Sequence, residues 1–347
     1  MGARFPFATY PRGWFVVGFA GDVAVGAVQT VHHFGVDIVL FRTESGKLAA
    51  IDRTCPHLGA HLGVGWVDGE CLRCPLHAWG FDGTGRCVDV PGVPRIPKKA
   101  SVSAWPVREI DGLVLVYHCP RGEAPTWEPP TLSREGWTAD RTQRWELRSH
   151  PQEVAESVVD GHGRRAAAVP EGHVLRVRGA GDDGDVEVVL HGLGVVVSTD
   201  ARARRRIYAT PIDEQRIALF AVHNTAMVDA ARDEAAFAAF VGELARDFPI
   251  WETKAYLERP LLVGDGPIGR FRGWAGQFYD ARPAAAAGEA VSEQRGAQVR
   301  LGSCGSSAAT TTSATTCCAA TSRRPGSASR SGSCARTSSA RRCGSAR

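Results

Sequence analysis

Cys55, His57, Cys74 and His77 stand on two short arms, Cys55-Pro56-His57-Leu58-Gly59 and Cys74-Pro75-Leu76-His77, with sixteen residues between His57 and Cys74. Each arm offers one thiol and one imidazole. Such a set suits a mixed-ligand [2Fe-2S] centre, with two thiolates on one iron and two imidazoles on the other. The same residue types also hold zinc, although zinc fingers put Cys with Cys and His with His. The third reading is four unrelated core side chains. One thiol and one imidazole on each arm favour the iron–sulfur centre. Pro56 and Pro75 stiffen both arms, and Trp79 and Phe81 are placed to shield them from water.

These arms resemble the Rieske iron–sulfur domains, and among them those of the Rieske non-haem iron oxygenases. Respiratory Rieske proteins carry two further cysteines joined in a disulfide. Ala60 and Leu76 stand at those positions here, so that bridge is excluded. Cys71 and Cys87 are expected to be buried or strand thiols, the commoner fate of a free cysteine.

The resemblance implies a second metal site. In the family, a helix-grip domain holds one mononuclear iron with two histidines and a carboxylate, leaving open positions for oxygen chemistry. Its signature resembles Asp-x-x-His-x-x-x-x-His, with the leading Asp bridging electrons from a neighbouring subunit's cluster. In Glu156-Ser157-Val158-Val159-Asp160-Gly161-His162, Glu156 and Asp160 fit. The spacing then breaks. The first His stands at 162 rather than 163, and Ala168 occupies the place of the second. His173 is the next histidine and a weak candidate. The plainer reading of 153–162 is a surface helix whose Glu153, Glu156 and Asp160 form one solvated acidic face. Asp247 continues the apolar stripe of Phe240 and Leu244, so it points inward and needs a partner. Asp247-Phe248-Pro249-Ile250-Trp251-Glu252 also resembles the family's late motif. With His162 it is the expected iron ligand set; the alternative for Asp247 is a carboxylate at a frayed helix end.

Further stretches resemble the cholesterol 7-desaturase and 3-ketosteroid 9α-hydroxylase branch: His191-Gly192-Leu193-Gly194, Thr210-Pro211-Ile212-Asp213, and Tyr256-Leu257-Glu258-Arg259-Pro260. The resemblance covers roughly residues 5–280. It implies O2-dependent hydroxylation or desaturation of a hydrophobic, sterol- or steroid-like molecule. It also implies a homotrimer, and NAD(P)H electrons arriving through a separate ferredoxin or flavin reductase. The resemblance places any nicotinamide or flavin site on a partner. The rival reading is a Rieske electron-transfer or binding protein whose mononuclear iron site is degenerate.

The elements that must position these residues form an α+β chain. Residues 1–127 read as an all-β Rieske domain. Trp14–Phe19, Val36–Arg42 and Lys47–Ile51 are strands, the last two flanking a turn at Glu44-Ser45-Gly46. Phe81–Cys87 is a further hairpin, and Leu113–Tyr117 a buried strand. Residues 128–144 read as a linker. Residues 145–280 read as a helix-grip domain, an antiparallel sheet with helices. Its strands are Val186–Leu190, Val195–Thr199, Arg205–Thr210 and Arg216–His223. Its helix runs from about Asp229 to Arg246, is ended or kinked by Pro249, and resumes over Trp251–Leu257.

Residues 281–347 differ in kind. After Leu301 no aliphatic residue larger than Ala and no aromatic occurs, so this segment is expected to be a disordered tail. It resembles GC-rich DNA translated out of frame. It also sets the charge: the chain is +4, and seven arginines with no acid in 302–347 leave −3 for the rest. A basic tail rather than a basic fold gives no ground for nucleic-acid binding. No stretch is long and apolar enough for a spanning helix. The chain begins close to the Rieske arms, and a cytoplasmic location is expected.

Overall fold

The computed structural model describes residues 4–6, 10–160, 167–181, 184–262 and 267–279. His162 and the segment 281–347 lie outside them. Among the described residues the first half carries ten strands: β1 Gly13–Phe19, β2 Val28–His33, β3 Val36–Arg42, β4 Leu48–Asp52, β5 Trp66–Asp68, β6 Cys71–Arg73, β7 Gly80–Phe81, β8 Cys87–Asp89, β9 Val107–Ile110 and β10 Leu113–His118. They form three small antiparallel sheets, ordered β1-β10-β9, β2-β3-β4 and β5-β6-β7-β8. The turn at Glu44-Ser45-Gly46 joins β3 to β4, and Phe81 pairs with Cys87 across the second hairpin. Cys71 is half-buried on β6 and Cys87 buried on β8, both as free thiols.

A seven-stranded antiparallel sheet follows, built from β11 Arg141–Leu147, β12 Ala167–Glu171, β13 Val174–Gly181, β14 Gly184–His191, β15 Val195–Thr199, β16 Ala203–Pro211 and β17 Ile217–Thr225, in the order β11-β17-β16-β15-β14-β13-β12. Among the described residues three α-helices accompany it: α1 Pro151–Asp160, α2 Asp233–Thr253 and α3 Ile268–Ala275. Successive strand residues point to opposite faces, and β17 shows both being used. Ile217, Leu219 and Ala221 pack with Val154, Phe240, Leu244, Trp251 and Phe271 of the helices. Ala218, Phe220 and Val222 pack with Trp14, Val16, Leu115 and Tyr117 of β1 and β10. With apolar layers on both sides, all of β17 is buried.

The seam between the β1–β10 module and the large sheet is tight. Phe34 and Gly35 donate backbone N–H groups to the Pro211 and Ile212 carbonyls at 3.0 and 2.9 Å. Thr210 Oγ1 donates to the Val16 carbonyl at 2.6 Å. Gly194 lies so close that a Cβ would stand 2.3 Å from the Trp14 carbonyl oxygen.

Two helix expectations need correction. Pro249 does not end the helix, which runs on to Thr253, and residues 254–257 lie outside it. Burial of Trp251 holds the last turn in place. Arg4 also caps it, donating to the Trp251 carbonyl and, at 2.9 Å, to that of Lys254. A guanidinium satisfies exposed C-terminal carbonyls and suits the negative helix end. Nor is α1 a surface helix with a solvated acidic face. Glu153 is fully buried and Glu156 nearly so; only Asp160 is exposed. Lys254 Nζ lies 3.0 Å from Glu153, and Arg272 binds Glu156 through two hydrogen bonds.

Candidate iron–sulfur centre and oxygenase site

The two ligand arms fold into matched loops. In the first, the Gly59 N–H donates to the Cys55 carbonyl and the Cys55 N–H to the Ala60 carbonyl, both at 2.9 Å. In the second, the Ala78 N–H donates to the Cys74 carbonyl and the Cys74 N–H to the Trp79 carbonyl, again at 2.9 Å. The fifth residue of each loop takes positive φ, +78° at Gly59 and +56° at Ala78. Glycine adopts that conformation freely, whereas alanine carries a steric cost.

This pairing sorts the ligands by element and by exposure. Cys55 and Cys74 are each 1% exposed and their sulfurs are in contact. Burial pushes the Cys55 thiol up to about 11; the His57 and Leu58 N–H groups pull the other way, and Cys74 pushes it higher. The imidazoles of His57 and His77 stand outside, with ring centroids 4.7 Å apart and interplanar angle 64°. Trp79 stacks on His57 at 4.5 Å and 8°, while Phe81 is fully buried beneath the loops. Two inner thiols and two outer imidazoles are the donor set of a Rieske cluster, two protein ligands per iron. The residues present therefore fit that group.

A cluster of charge beside these loops escaped the sequence reading. Asp37 meets His32 Nδ1 at 2.7 Å and accepts from Arg53 Nη1 at 2.6 Å. His61 Nε2 lies 3.6 Å from the same carboxylate, and its Nδ1 accepts from the Gly63 N–H. Hydrogen bonds from His32 and Arg53 lower the Asp37 carboxyl to about 2. His61 lies between the two arms in sequence, which was the available clue.

The second site differs. Asp247 is half-buried on α2, and burial raises its pKa, with Glu243 adding and Arg246 opposing. Asp160 is the exposed last residue of α1. His173 stacks on Trp127 at 4.9 Å and 13°, its ring centroid 6.3 Å from that of His191. Among the described residues, Asp160, His173 and Asp247 are not gathered into a three-ligand group. The described side chains thus do not by themselves fit a mononuclear iron.

Fold and ligand loops together define a Rieske-type iron–sulfur domain joined to an antiparallel sheet with packed helices. Comparison with known proteins agrees. The Rieske [2Fe-2S] domain model matches residues 13–105. The 3-ketosteroid 9alpha-hydroxylase C-terminal domain model matches 116–163 and 179–279, leaving 164–178 unmatched. A probable 3-ketosteroid-9-alpha-monooxygenase oxygenase component from Rhodococcus rhodochrous is 30% identical over 340 residues, covering 80% of this chain and 83% of that protein. The cholesterol 7-desaturase of Bombyx mori is 29% identical over 326 residues, covering 80% and 71%. Dicamba monooxygenase bound to dicamba shares the fold, with TM-score 0.63 and 19% identity over 78% of this chain and 98% of that one. The chain belongs to the Rieske oxygenase family with a C-terminal domain of the 3-ketosteroid 9alpha-hydroxylase type.

Proposed function

We propose that this chain is the oxygenase component of a multicomponent system acting on a steroid-like, largely apolar substrate. The observation that carries the reading is the matched pair of loops holding Cys55, His57, Cys74 and His77, on a chain similar over most of its length to steroid-acting relatives. A Rieske cluster, when bound, supplies one-electron transfer at a potential raised by its two histidines. Cys55 and Cys74 hold it from inside, and His57 and His77 present it at the surface. Leu58, Val64, Trp66 and Leu76 are exposed around the loops at 68, 72, 48 and 53%. Such an apolar rim suits docking of another protein. We assign it to electron delivery by a ferredoxin or flavin reductase drawing on NAD(P)H, and to contact within a homotrimer.

In this reading Asp160, exposed at the end of α1, relays electrons from a neighbouring subunit. Asp247 and His162 are assigned as mononuclear iron ligands, with His173 the weaker candidate for the remaining position. Residues 1–127 are the Rieske domain and 145–280 the oxygenase-type domain, joined through 128–144. Among the described residues no helix is long and apolar enough to cross a membrane, and we assign the protein to the cytoplasm.

A second reading is favoured by the family model's interruption at 164–178 and by the ungathered ligands: an electron carrier with a degenerate iron site. Iron content and oxygen uptake separate the two. The oxygenase predicts about three irons per chain and steroid-dependent O2 uptake; the carrier predicts about two irons and no uptake.

A further inference from the structure

The loop between β8 and β9 runs against the charge of the chain around it. Residues 90–107 carry three cations, Arg95, Lys98 and Lys99, and no acid, whereas the chain outside 302–347 is net −3. All three residues are exposed. Elsewhere in this module cations are neutralised: Arg42, Lys47, Arg53, Arg73, Arg108 and Arg121 each have a carboxylate oxygen at 3.4 Å or closer. Arg95, Lys98 and Lys99 have no such partner among the described residues. Arg86, exposed and bridged in register to Ser101, adds a fourth unpaired cation beside them. The loop is stiff. Pro91, Pro94 and Pro97 fix φ at every third residue. The Ala100 N–H donates to the Pro97 carbonyl and the Cys87 N–H to the Ala100 carbonyl, both at 2.9 Å. Val90, Ile96, Ala100 and Val102 pack into the core that contains Cys55 and Cys74. The cations are thus carried on the wall of the ligand loops' own core.

Isolated surface cations are ordinary. Several of them, unpaired, on a rigid loop of an otherwise acidic body, make a local positive field that reaches about 10 Å at 0.1 M salt. We propose that the loop 90–103 is the electrostatic part of the donor-docking surface, and that its partner is a ferredoxin with an acidic face. The inference rests on the reading of this chain as a component that receives electrons, and deepens it by naming the partner's charge. The apolar rim of Leu58, Val64, Trp66 and Leu76 supplies water-excluding contact. The loop supplies steering and orientation, which charge complementarity governs more than affinity. Its prolines keep the ordering cost of docking low. The exchange moves one electron, from a donor that is oxidised to a cluster that is reduced, and no atom. A centre with two histidine ligands lies above an all-cysteine ferredoxin in potential, so the transfer runs downhill.

The test is stopped-flow reduction of the cluster-loaded protein by a reduced, acidic plant-type ferredoxin, paired with equilibrium binding of the same ferredoxin oxidised. The wild-type second-order rate is expected to fall about tenfold between about 20 mM and about 500 mM salt, as opposite charges are screened. Combined Arg95→Glu, Lys98→Glu and Lys99→Glu should lower the low-salt rate at least about tenfold, weaken binding and reverse the salt trend. Combined Lys98→Arg and Lys99→Arg, which keep the charge, should behave as wild type. Reduction by dithionite at high salt and the thermal midpoint should be unchanged in both, because only exposed side chains differ. Wild-type rate and salt dependence in the reversed variant overturn the proposal and leave electron delivery to the apolar rim. No reduction of wild type by ferredoxin, with dithionite effective, overturns the acidic donor and the loop with it. An altered oligomeric state, or lost binding to phosphatidylserine vesicles, with ferredoxin kinetics unaltered, assigns the loop to another copy or to a lipid surface. Either result overturns the proposal. The expected kinetics without steroid-dependent O2 uptake support the docking loop and overturn the oxygenase reading alone.

Discussion

Arg272 on α3 grips Glu156 on α1 through two hydrogen bonds, Nε to Oε2 at 2.6 Å and Nη2 to Oε1 at 2.8 Å. Lys254, just past α2, lies 3.4 Å from the same carboxylate and 3.0 Å from Glu153. One buried carboxylate pair on α1 thus ties α1 to α3 and to the C-terminal end of α2, on the helix that ends at Asp160.

Breaking that grip from one side should be expensive. Arg272→Leu leaves Glu156 buried beside a single lysine, a loss of about 3–5 kcal/mol. Urea denaturation should show it as a lower midpoint, while the visible spectrum of the cluster, set in the other module, is unchanged. Arg272→Leu with Glu156→Leu should recover much of the loss, since removing both partners leaves no orphaned charge. A double variant no more stable than the single one contradicts this reading.

The matched cluster loops respond oppositely to exchange at their fifth residues. Ala78→Gly relieves a left-handed alanine and should leave stability unchanged or raise it by up to about 1 kcal/mol. Gly59→Ala forces a side chain into the same conformation and should cost about 1–2 kcal/mol. The half-life of the cluster's visible absorption on warming should follow the same order. A Gly59→Ala protein as durable as wild type is the contrary result.

Acid should weaken the fold before it titrates the carboxylates. Burial lowers His33, His191 and His223 to about 4, and His150 to about 3. These groups bind protons near pH 6.5 when unfolded and resist doing so when folded. Their stabilisation is fully present above 6.5 and is lost as pH falls from there toward 4. The thermal midpoint should fall between pH 7 and pH 5 and change little between pH 7 and pH 8. A midpoint flat down to pH 5 contradicts the burial of these imidazoles.

The seam between modules has one point with no room. Gly194→Ala sets a Cβ against the Trp14 carbonyl and the Phe15 ring. Overpacking of this kind costs typically about 1–3 kcal/mol. Limited proteolysis should then cut between the modules sooner, in the loop around Trp127, with the cluster still bound. Unchanged cleavage would show that the seam relaxes without opening.

Much of this architecture was legible in the sequence because its signals are local. The hairpin at Glu44-Ser45-Gly46, the apolar run Leu113–Tyr117 and the Cys-x-His and Cys-x-x-His arms each announce themselves within a few residues. What escaped depends on distant partners. Glu153 and Glu156 looked like a wet face because Arg272 and Lys254 are about a hundred residues away. Strands β12 and β13 are together rich in Ala, Arg and Gly, with weak intrinsic β preference; pairing of β13 onto β14, and of β12 onto β13, makes them strands. Pro249 sits inside α2 because Trp251 and Arg4 fix the turn beyond it, a tertiary effect that local rules do not contain.

Iron, zinc and acid-labile sulfide per chain, measured on wild type and on Cys55→Ser, test the central claim most directly. The account predicts about two sulfides and at least two irons in wild type, with the sulfide lost in Cys55→Ser. One zinc per chain with no labile sulfide would contradict it.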